Sequence, residues 1–597
     1  MINMVYPSDY ENKTGFDRIR AQVRGKCTTD GGRALLDGEG FSASAGEIAH
    51  RLSLCSELQE ILMLESGFPL QEYTDIGPVA RKIEVAGTFL DIEDMIALRA
   101  GLGAVNEITV FLAAKEEGRY PVLRGLAQGV ESFPEITGHI DTILDRYGKI
   151  KDSASPELYT IRRTIRDREG QVSKRLQAIL SKAQKDGYAD ADAAVSIRDG
   201  RAVIPVSAAN KRKINGFIHD ESATGKTFYI EPVEIVEINN ELKELEYAER
   251  REVVRILTAF TDRIRPDAPG IARAGEYLAC MDMIRAKARW AAENDCVKPV
   301  LSEEGTLWLR SARHPLLRQT LAREGKQVVP LDLKLDRGRR MLVISGPNAG
   351  GKSVCLKTVG LLQYMFQCGF PVPVLENSEF PVFDGIFIDI GDEQSIDNDL
   401  STYSSHLLNM KHMLAGTGSG SLVLIDEFGS GTEPVIGGAI AEAILERFVE
   451  TGTYGVITTH YSNIKYFAGS HEGVENGAMM FDVQNIRPLF RLQMGEPGSS
   501  FAVEIARKIG LPAQIIDAAS RKAGSDHINL EKQLRDIARD RRYWEQKRDR
   551  IRITDRKVEE LEQTYARQLA DIKQERNRIL HEAREEARAL VAEANKQ

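Results

Sequence analysis

The apolar positions along this chain change period several times, and each change predicts a different element. From the N-terminus to about residue 190 the spacing is helical, as in Leu158, Ile161, Ile165, Val172, Leu176 and Ile179, with few strand signals. Between about 191 and 235 it becomes that of short strands, Arg201–Val206, Gly216–Ile218 and Thr227–Ile230, separated by polar turns. Helical spacing resumes at Ile235, Ile238, Leu242, Leu245, Val253 and Leu257. One long helix therefore leads into a β-rich insert and another leads out, which predicts two antiparallel arms with a β tip. From about 301 to 525 apolar runs end in polar loops: Met341–Ser345, Gly385–Ile390, Ser421–Ile425 and Gly455–Thr459. That is the texture of an α/β sheet, whose ligands bind at the carboxyl ends of the strands. Beyond Gly524 the chain is highly charged, with Leu530, Ile537, Trp544, Ile551, Val558, Tyr565, Ile572 and Ile579 at every seventh position. The companion positions Arg541, Arg548 and Asp555 are polar, so a long helix is expected there and a stable two-stranded coil is not assured.

The expected fold class is multidomain α plus α/β. Residues 1–190 are expected to form a helical core with the outgoing arm, 191–235 a β-rich insert, 236–300 the returning arm helix and core, 301–525 an α/β domain and 526–597 a charged, coiled-coil-like helix. The 597 residues exceed what one core holds and suggest roughly four units at about 150 residues each. A net charge of −9 excludes a uniformly basic nucleic-acid coat, so any nucleic-acid contact is regional. The six cysteines are scattered without a C-x-x-C pair, which supports neither a disulfide framework nor a zinc site. With no run of about 18 apolar residues, the expectation is a cytoplasmic protein without a membrane partner.

The chemistry centres on Gly346-Pro347-Asn348-Ala349-Gly350-Gly351-Lys352-Ser353, directly after an apolar strand and before a helix-compatible run beginning at Val354. This fits G-x-x-x-x-G-K-[ST]: glycines let backbone N–H groups turn inward around phosphates, Lys352 reaches the β and γ oxygens, and Ser353 offers a hydroxyl to Mg²⁺. ATP and Mg²⁺ are the expected cofactors. About 75 residues on, Leu422–Ile425 ends in Asp426 and Glu427, the metal-side carboxylate and the candidate general base. A third strand ends at His460, placed to hydrogen-bond a γ-phosphate or the water beside it. Ser401 and Thr402 stand where a polar loop opens a helix, able to cap it and leave N–H groups facing an anion. No adenine-stacking group is evident; Val328 is the candidate, without an aromatic partner. In the insert, Lys211, Arg212 and Lys213 join Arg198 and Arg201 in a locally basic patch, a candidate phosphate contact. A second basic stretch, from Arg535 to Arg552, is interleaved with acids.

These motifs together resemble the MutS family of ATPases, whose nucleotide domains are of the ABC type. The resemblance is carried by Gly346-Pro347-Asn348, Asp426–Pro434, Thr458-Thr459-His460, Arg313-His314-Pro315, and Gly495–Phe501 followed by Ala506–Pro512, and it covers most of the chain. Ile218–Gly225 with Tyr229–Pro232 resembles the clamp segment of the second bacterial branch, and Ser401–His406 its trans-acting loop. The resemblance implies a homodimer closed by ATP, with Ser401 of one subunit at the γ-phosphate held by the other. It also implies action on branched or double-stranded DNA or on stalled ribosomes through rRNA, in recombination suppression or ribosome rescue. That branch carries a C-terminal Smr domain with an L-D-L-H-G motif, whereas Leu331-Asp332-Leu333-Lys334 lacks the histidine, so nuclease activity is not supported by these residues. Phe133-Pro134-Glu135 matches the mismatch reader's Phe-x-Glu but falls in a helical region, and mismatch reading is not expected. The alternative is a structural coiled-coil ATPase of the cohesin type. Only about 70 residues separate the P-loop from the Asp-Glu strand, too few for an intervening coil.

Overall fold

The computed structural model describes residues 4–347, 350–391, 402–482, 485, 487–499 and 501–523, with a few isolated positions beyond 523. The expected charged helix of 526–597, with all of its heptad positions except Ile551, lies outside the described residues, as do Asn348, Ala349, Ser401 and the Thr402 side chain.

In chain order the strands are β1 (Met4–Tyr6), β2 (Ser196–Arg198), β3 (Arg201–Ser207), β4 (Gly216–Glu221), β5 (Thr227–Pro232), β6 (Val300–Leu301), β7 (Leu307–Ala312) and β8 (Leu331–Leu335). Next come β9 (Arg339–Ser345), β10 (Glu379–Phe380), β11 (Gly385–Asp389), β12 (Ser421–Ile425), β13 (Tyr454–Thr458), β14 (Gly473–Asp482) and β15 (Arg487–Met494). The largest sheet has the order β1-β11-β12-β13-β9-β14-β15, parallel except at the β14–β15 hairpin. All residues of β11, β12 and β13 are buried. This is why these strands read as unbroken apolar runs: a parallel strand covered on both faces has no polar side to alternate with.

The N-terminal residues add a strand to the mostly helical segment expected there. Met4–Tyr6 pairs with Gly385–Phe387 as the edge strand of the main sheet. The short helix after it, Tyr10–Thr14, lies against the helix Lys352–Gln367: the Tyr10 hydroxyl donates to the Gly360 carbonyl at 3.0 Å, and Tyr364 donates to Glu11 at 2.9 Å. Gln367 donates to the carbonyls of Ser42 and Phe383, tying the N-terminal segment to the nucleotide-domain sheet.

The helix Ala268–Glu293 runs through the helical core, almost fully buried over its second half. A charged pair lies inside it. Asp282 accepts from the backbone and hydroxyl groups of Thr28 and Thr29 and from Arg285, whose guanidinium stacks 3.7 Å from the Tyr73 ring centroid. Every oxygen of this buried carboxylate has a donor, as a buried charge requires. One helix among the described residues, Ile92–Ala113, is long and apolar enough to cross a membrane by composition, although its few polar residues interrupt any continuous apolar run. Met95, Leu98, Leu102, Val105, Ile108 and Leu112 form its buried face in the core. Phe133 packs against Gly270 of the central helix, where a Cβ would come within 2.7 Å of its ring, so its side chain is part of the core packing.

The arms are the helices Pro156–Lys185 and Val233–Ile264, packed against each other. At 30 residues the first is about 45 Å long. Between them sits a small antiparallel sheet, β2-β3-β5-β4, with its own core of Val172, Leu176, Ile204, Val206, Ile230 and Ile235. Glu231 anchors this sheet to the returning arm: buried, it accepts from Arg201 and Asn239 and lies within hydrogen-bond distance of His219.

Candidate functional site

The sheet order sets β9, β13 and β12 side by side, so the loops at their carboxyl ends meet at one edge. The β9 end carries the glycine-rich loop. Gly346 has φ +139° and Gly351 φ +91°, the second leading directly into the helix Lys352–Gln367. A Cβ on Gly346 or Gly350 would lie 3.1 or 3.2 Å from Met479, so the loop backbone presses onto β14 without room for side chains. Gly498, in the Gly495–Phe501 segment, closes the other side. Its N–H donates to the Ser345 hydroxyl at 2.7 Å, its carbonyl accepts from Lys465, and a Cβ there would stand 2.4 Å from the Ser345 carbonyl oxygen.

Lys352 is buried, donating to the Gly346 carbonyl at 2.8 Å, with its Nζ 3.1 Å from His460 Nε2 just past the end of β13. Burial pushes its ammonium down to about 8, an effect partly opposed by the carboxylates of Asp426 and Glu427. His460 is held below its ordinary value by burial and then by the charges of Lys352 and Lys465, so it is neutral at physiological pH. Ser353 and Val354 are exposed in the first helical turn.

At the β12 end, Thr458 stands in a motif that the sequence marks, but its part in holding the acidic pair is not legible there. Its hydroxyl donates to Asp426 Oδ1 and accepts from the Glu427 backbone N–H at 2.8 Å, so one fully buried side chain orients both acidic residues. Glu427 itself is exposed and has φ +49°, a left-handed conformation that costs a non-glycine residue on the order of 1 kcal/mol and turns the chain sharply at the strand end. The second Asp426 oxygen has no hydrogen-bond partner among the described residues. That oxygen and the Ser353 hydroxyl are hard donors of the kind Mg²⁺ takes, an ion that keeps most of its waters and needs few protein ligands.

Beside the P-loop lies a cavity of about 410 Å³ lined by residues that include His314, Val328, Val354, Met479 and Phe490. The sequence marks Val328 as a candidate here but not Phe490 or Met479, because these lie on the β14–β15 hairpin, more than a hundred residues along the chain, and reach the loop only through the fold. The Phe490 ring lies 3.1 Å from where a Gly351 Cβ would be and is half exposed, offering an aromatic face to the cavity.

The basic patch of the insert is smaller than the sequence suggests. Arg198 pairs with Asp220 at 3.0 Å and Arg201 with buried Glu231. Lys211, Arg212 and Lys213 are exposed, with no carboxylate partner among the described residues; Lys211 lies over the Phe228 ring at 4.3 Å.

A glycine-rich loop of P-loop spacing after one strand, an acidic pair two strands over and a histidine between them are the arrangement of a P-loop ATPase domain, and residues 342–525 match the family model described as MutS domain V. Over most of its length the chain is similar to proteins called Endonuclease MutS2. It is 37% identical to that of Alkaliphilus metalliredigens over 579 residues, which is 97% of this chain and 72% of that protein. It is 38% identical to that of Pelotomaculum thermopropionicum over 539 residues (90% and 67%), and 34% identical to that of Halothermothrix orenii over 581 residues (96% and 72%). The chain belongs to the MutS2 family.

Proposed function

We propose that this chain is an ATP-hydrolysing, homodimeric clamp that acts on branched or double-stranded DNA or on stalled ribosomes, rather than a reader of mismatches. The observation that carries the ATPase part is the convergence of Lys352, His460 and the Asp426–Glu427 pair at one edge of the sheet, with Lys352 and His460 3.1 Å apart. In this reading the backbone N–H groups of the glycine-rich loop, Pro347 excepted, and the Lys352 ammonium hold the phosphates. Ser353 and Asp426 hold Mg²⁺, which would neutralise charge on the phosphates. Glu427 takes the proton of the attacking water and His460 hydrogen-bonds near the γ-phosphate. The adenine enters the cavity between Val328 and Phe490. Ser401 and Thr402 of a second subunit complete the site.

Dimerisation is supported by Val435 and Ile436, 75% and 60% exposed at the start of the helix Pro434–Glu450, a few residues past Glu427. Two large apolar side chains beside a catalytic edge are what a facing subunit would cover. The domain division is part of the proposal: residues 1–190 and 236–300 as core and lever, 191–235 as clamp, 301–525 as ATPase and 526–597 as a coiled-coil-like helix. Lys211, Arg212 and Lys213 at the arm tip contact phosphate in this reading, and no base-reading residues are invoked.

The test is to trap tagged Glu427→Gln with ATP in lysate and measure the co-purified nucleic acid. Enriched rRNA supports ribosome rescue; DNA without ribosomes supports recombination control. Loss of ATP binding in Lys352→Ala is expected, and turnover by Glu427→Gln equal to that of the parent would remove Glu427 as the base. Because the relatives are named endonucleases, the same preparation is assayed for plasmid nicking; nicking by the purified chain would assign it a second activity.

A further inference from the structure

Asp389, the last residue of β11, is buried at the same sheet edge as Asp426 but belongs to none of the catalytic groups named so far. Its backbone carbonyl accepts from the Asp426 N–H at 2.9 Å, so it lies directly beside the acidic pair. Both of its carboxylate oxygens are taken by the helix Thr402–Gly416. His406 Nδ1 lies 2.6 Å from Oδ2, and Asn409 Nδ2 donates to Oδ1 at 2.8 Å. Asn409 is fixed in turn from the opposite side, where its Oδ1 accepts from the Tyr6 hydroxyl at 2.6 Å, and the Tyr6 ring stacks on His412 with centroids 5.3 Å apart. The N-terminal edge strand, the end of β11 and three positions spaced by three along one helix thus form a single polar chain.

Burying a carboxylate costs several kcal/mol before its partners repay it, and apolar residues of similar size would pack a helix on a sheet at lower cost. What the polar arrangement adds is direction. Two directional bonds to one carboxylate fix both the height and the rotation of the helix about its axis, because His406 and Asn409 are about one turn apart on the same face. The helix position matters because Tyr403 and His406 line the cleft whose other wall is Asp426, Glu427 and Gly429. A rotation of the helix would change the wall that faces the acidic pair.

We propose that Asp389 is a positioning residue of ATP hydrolysis, acting through His406 and Asn409 to hold the helix Thr402–Gly416 against the end of β12, with Tyr6 as the outer support of the same chain. The inference rests on the ATPase reading above. It does not require Asp389 to touch nucleotide.

The test compares Asp389→Asn, His406→Leu and His406→Asn with the parent in steady-state ATPase assays, with nucleotide affinity from a fluorescent ATP analogue and folding from thermal melting. In Asp389→Asn one amide face opposes a donor, and in His406→Leu the donor is gone. Both should lower kcat about tenfold while KM and nucleotide Kd stay within about twofold. His406→Asn places an amide nitrogen close to the position of Nδ1 and should recover kcat to within about threefold of the parent. The inference is overturned if Asp389→Asn turns over like the parent, if His406→Asn is no better than His406→Leu, or if kcat and affinity fall together with the melting temperature. A parent chain that turns over and a Lys352→Ala variant that does not, together with an unaffected Asp389→Asn, would leave the ATPase reading standing and remove this one. No turnover by the parent would remove both.

Discussion

If Lys352 holds the phosphates as proposed, raising the pH from about 7 to about 9 should weaken nucleotide binding about tenfold, because that lysine loses its proton in that window. Burial under the P-loop pushes Lys352 from its ordinary 10.5 to about 8; the charges of Asp426 and Glu427 pull it back in part and Lys465 pushes it further down. A polyphosphate against the same amine favours the charged form and raises its pKa in the complex. The sign is set by this difference: nucleotide selects the ammonium, which the empty site carries below about 8 and has lost above it. Affinity is therefore full near pH 7 and falls toward a limiting slope of about tenfold, or about 1.4 kcal/mol, per pH unit above 8. With an empty-site value of about 8, the protonated fraction of the free site drops from about nine tenths at pH 7 to about one tenth at pH 9. In the empty site His460 is held below its ordinary value by burial and the neighbouring lysines, so the charge lost from the free site in this window is that of Lys352. The assay is titration with a fluorescent ATP analogue at fixed Mg²⁺ and ionic strength, with calorimetry in two buffers to count protons taken up on binding. Lys352→Arg is the control, because a guanidinium stays charged and its profile should be flat whatever its absolute affinity. A flat profile in the parent, or the same slope in Lys352→Arg, would refute the argument.

Thr458→Val removes the donor to Asp426 and the acceptor of the Glu427 N–H; it should lower stability by about 1–3 kcal/mol in denaturant titration and reduce ATP turnover, whereas Thr458→Ser, which keeps the hydroxyl, should retain most of both. If Val and Ser behave alike, the hydroxyl is not what holds the acidic strand end. Asp282→Ala leaves Arg285 buried without its carboxylate and four donors of Thr28 and Thr29 unmatched, and should cost about 3–5 kcal/mol in the same experiment. A loss under about 1 kcal/mol would mean that water or another group replaces the carboxylate. Changing Lys211, Arg212 and Lys213 together to Ala should weaken duplex DNA binding and reduce the slope of log K against log salt by up to about three, while an unchanged slope would exclude the loop as a phosphate contact.

Local pattern suffices wherever the residues that matter are contiguous. Met341–Ser345, Gly385–Ile390, Ser421–Ile425 and Gly455–Thr459 are readable as strands because two-sided burial leaves continuous apolar runs, and each overlaps an observed strand of the main sheet. Three of the four strands described in the insert are legible from short β-branched and aromatic runs between polar turns, with Arg201–Val206 observed as Arg201–Ser207, whereas Ser196–Arg198 is not. Met4–Tyr6 is not, since three residues carry no period and only pairing with Gly385–Phe387 makes them a strand. The basic cluster is overcounted in the sequence because charge along a chain does not say which guanidiniums are already matched: Asp220 and Glu231 reach back across the sheet to Arg198 and Arg201. At the candidate site the division is the same. The P-loop spacing and the Asp-Glu end of β12 are contiguous and therefore legible, whereas Thr458, Phe490 and Asp389 act on residues that are neighbours only across strands or across the hairpin. Thr458 carries a faint signal, as a polar residue closing an apolar strand next to an acidic one. Phe490 carries none, because nothing in Arg487–Met494 marks it until that strand is laid beside β14 and the glycine-rich loop is laid over both.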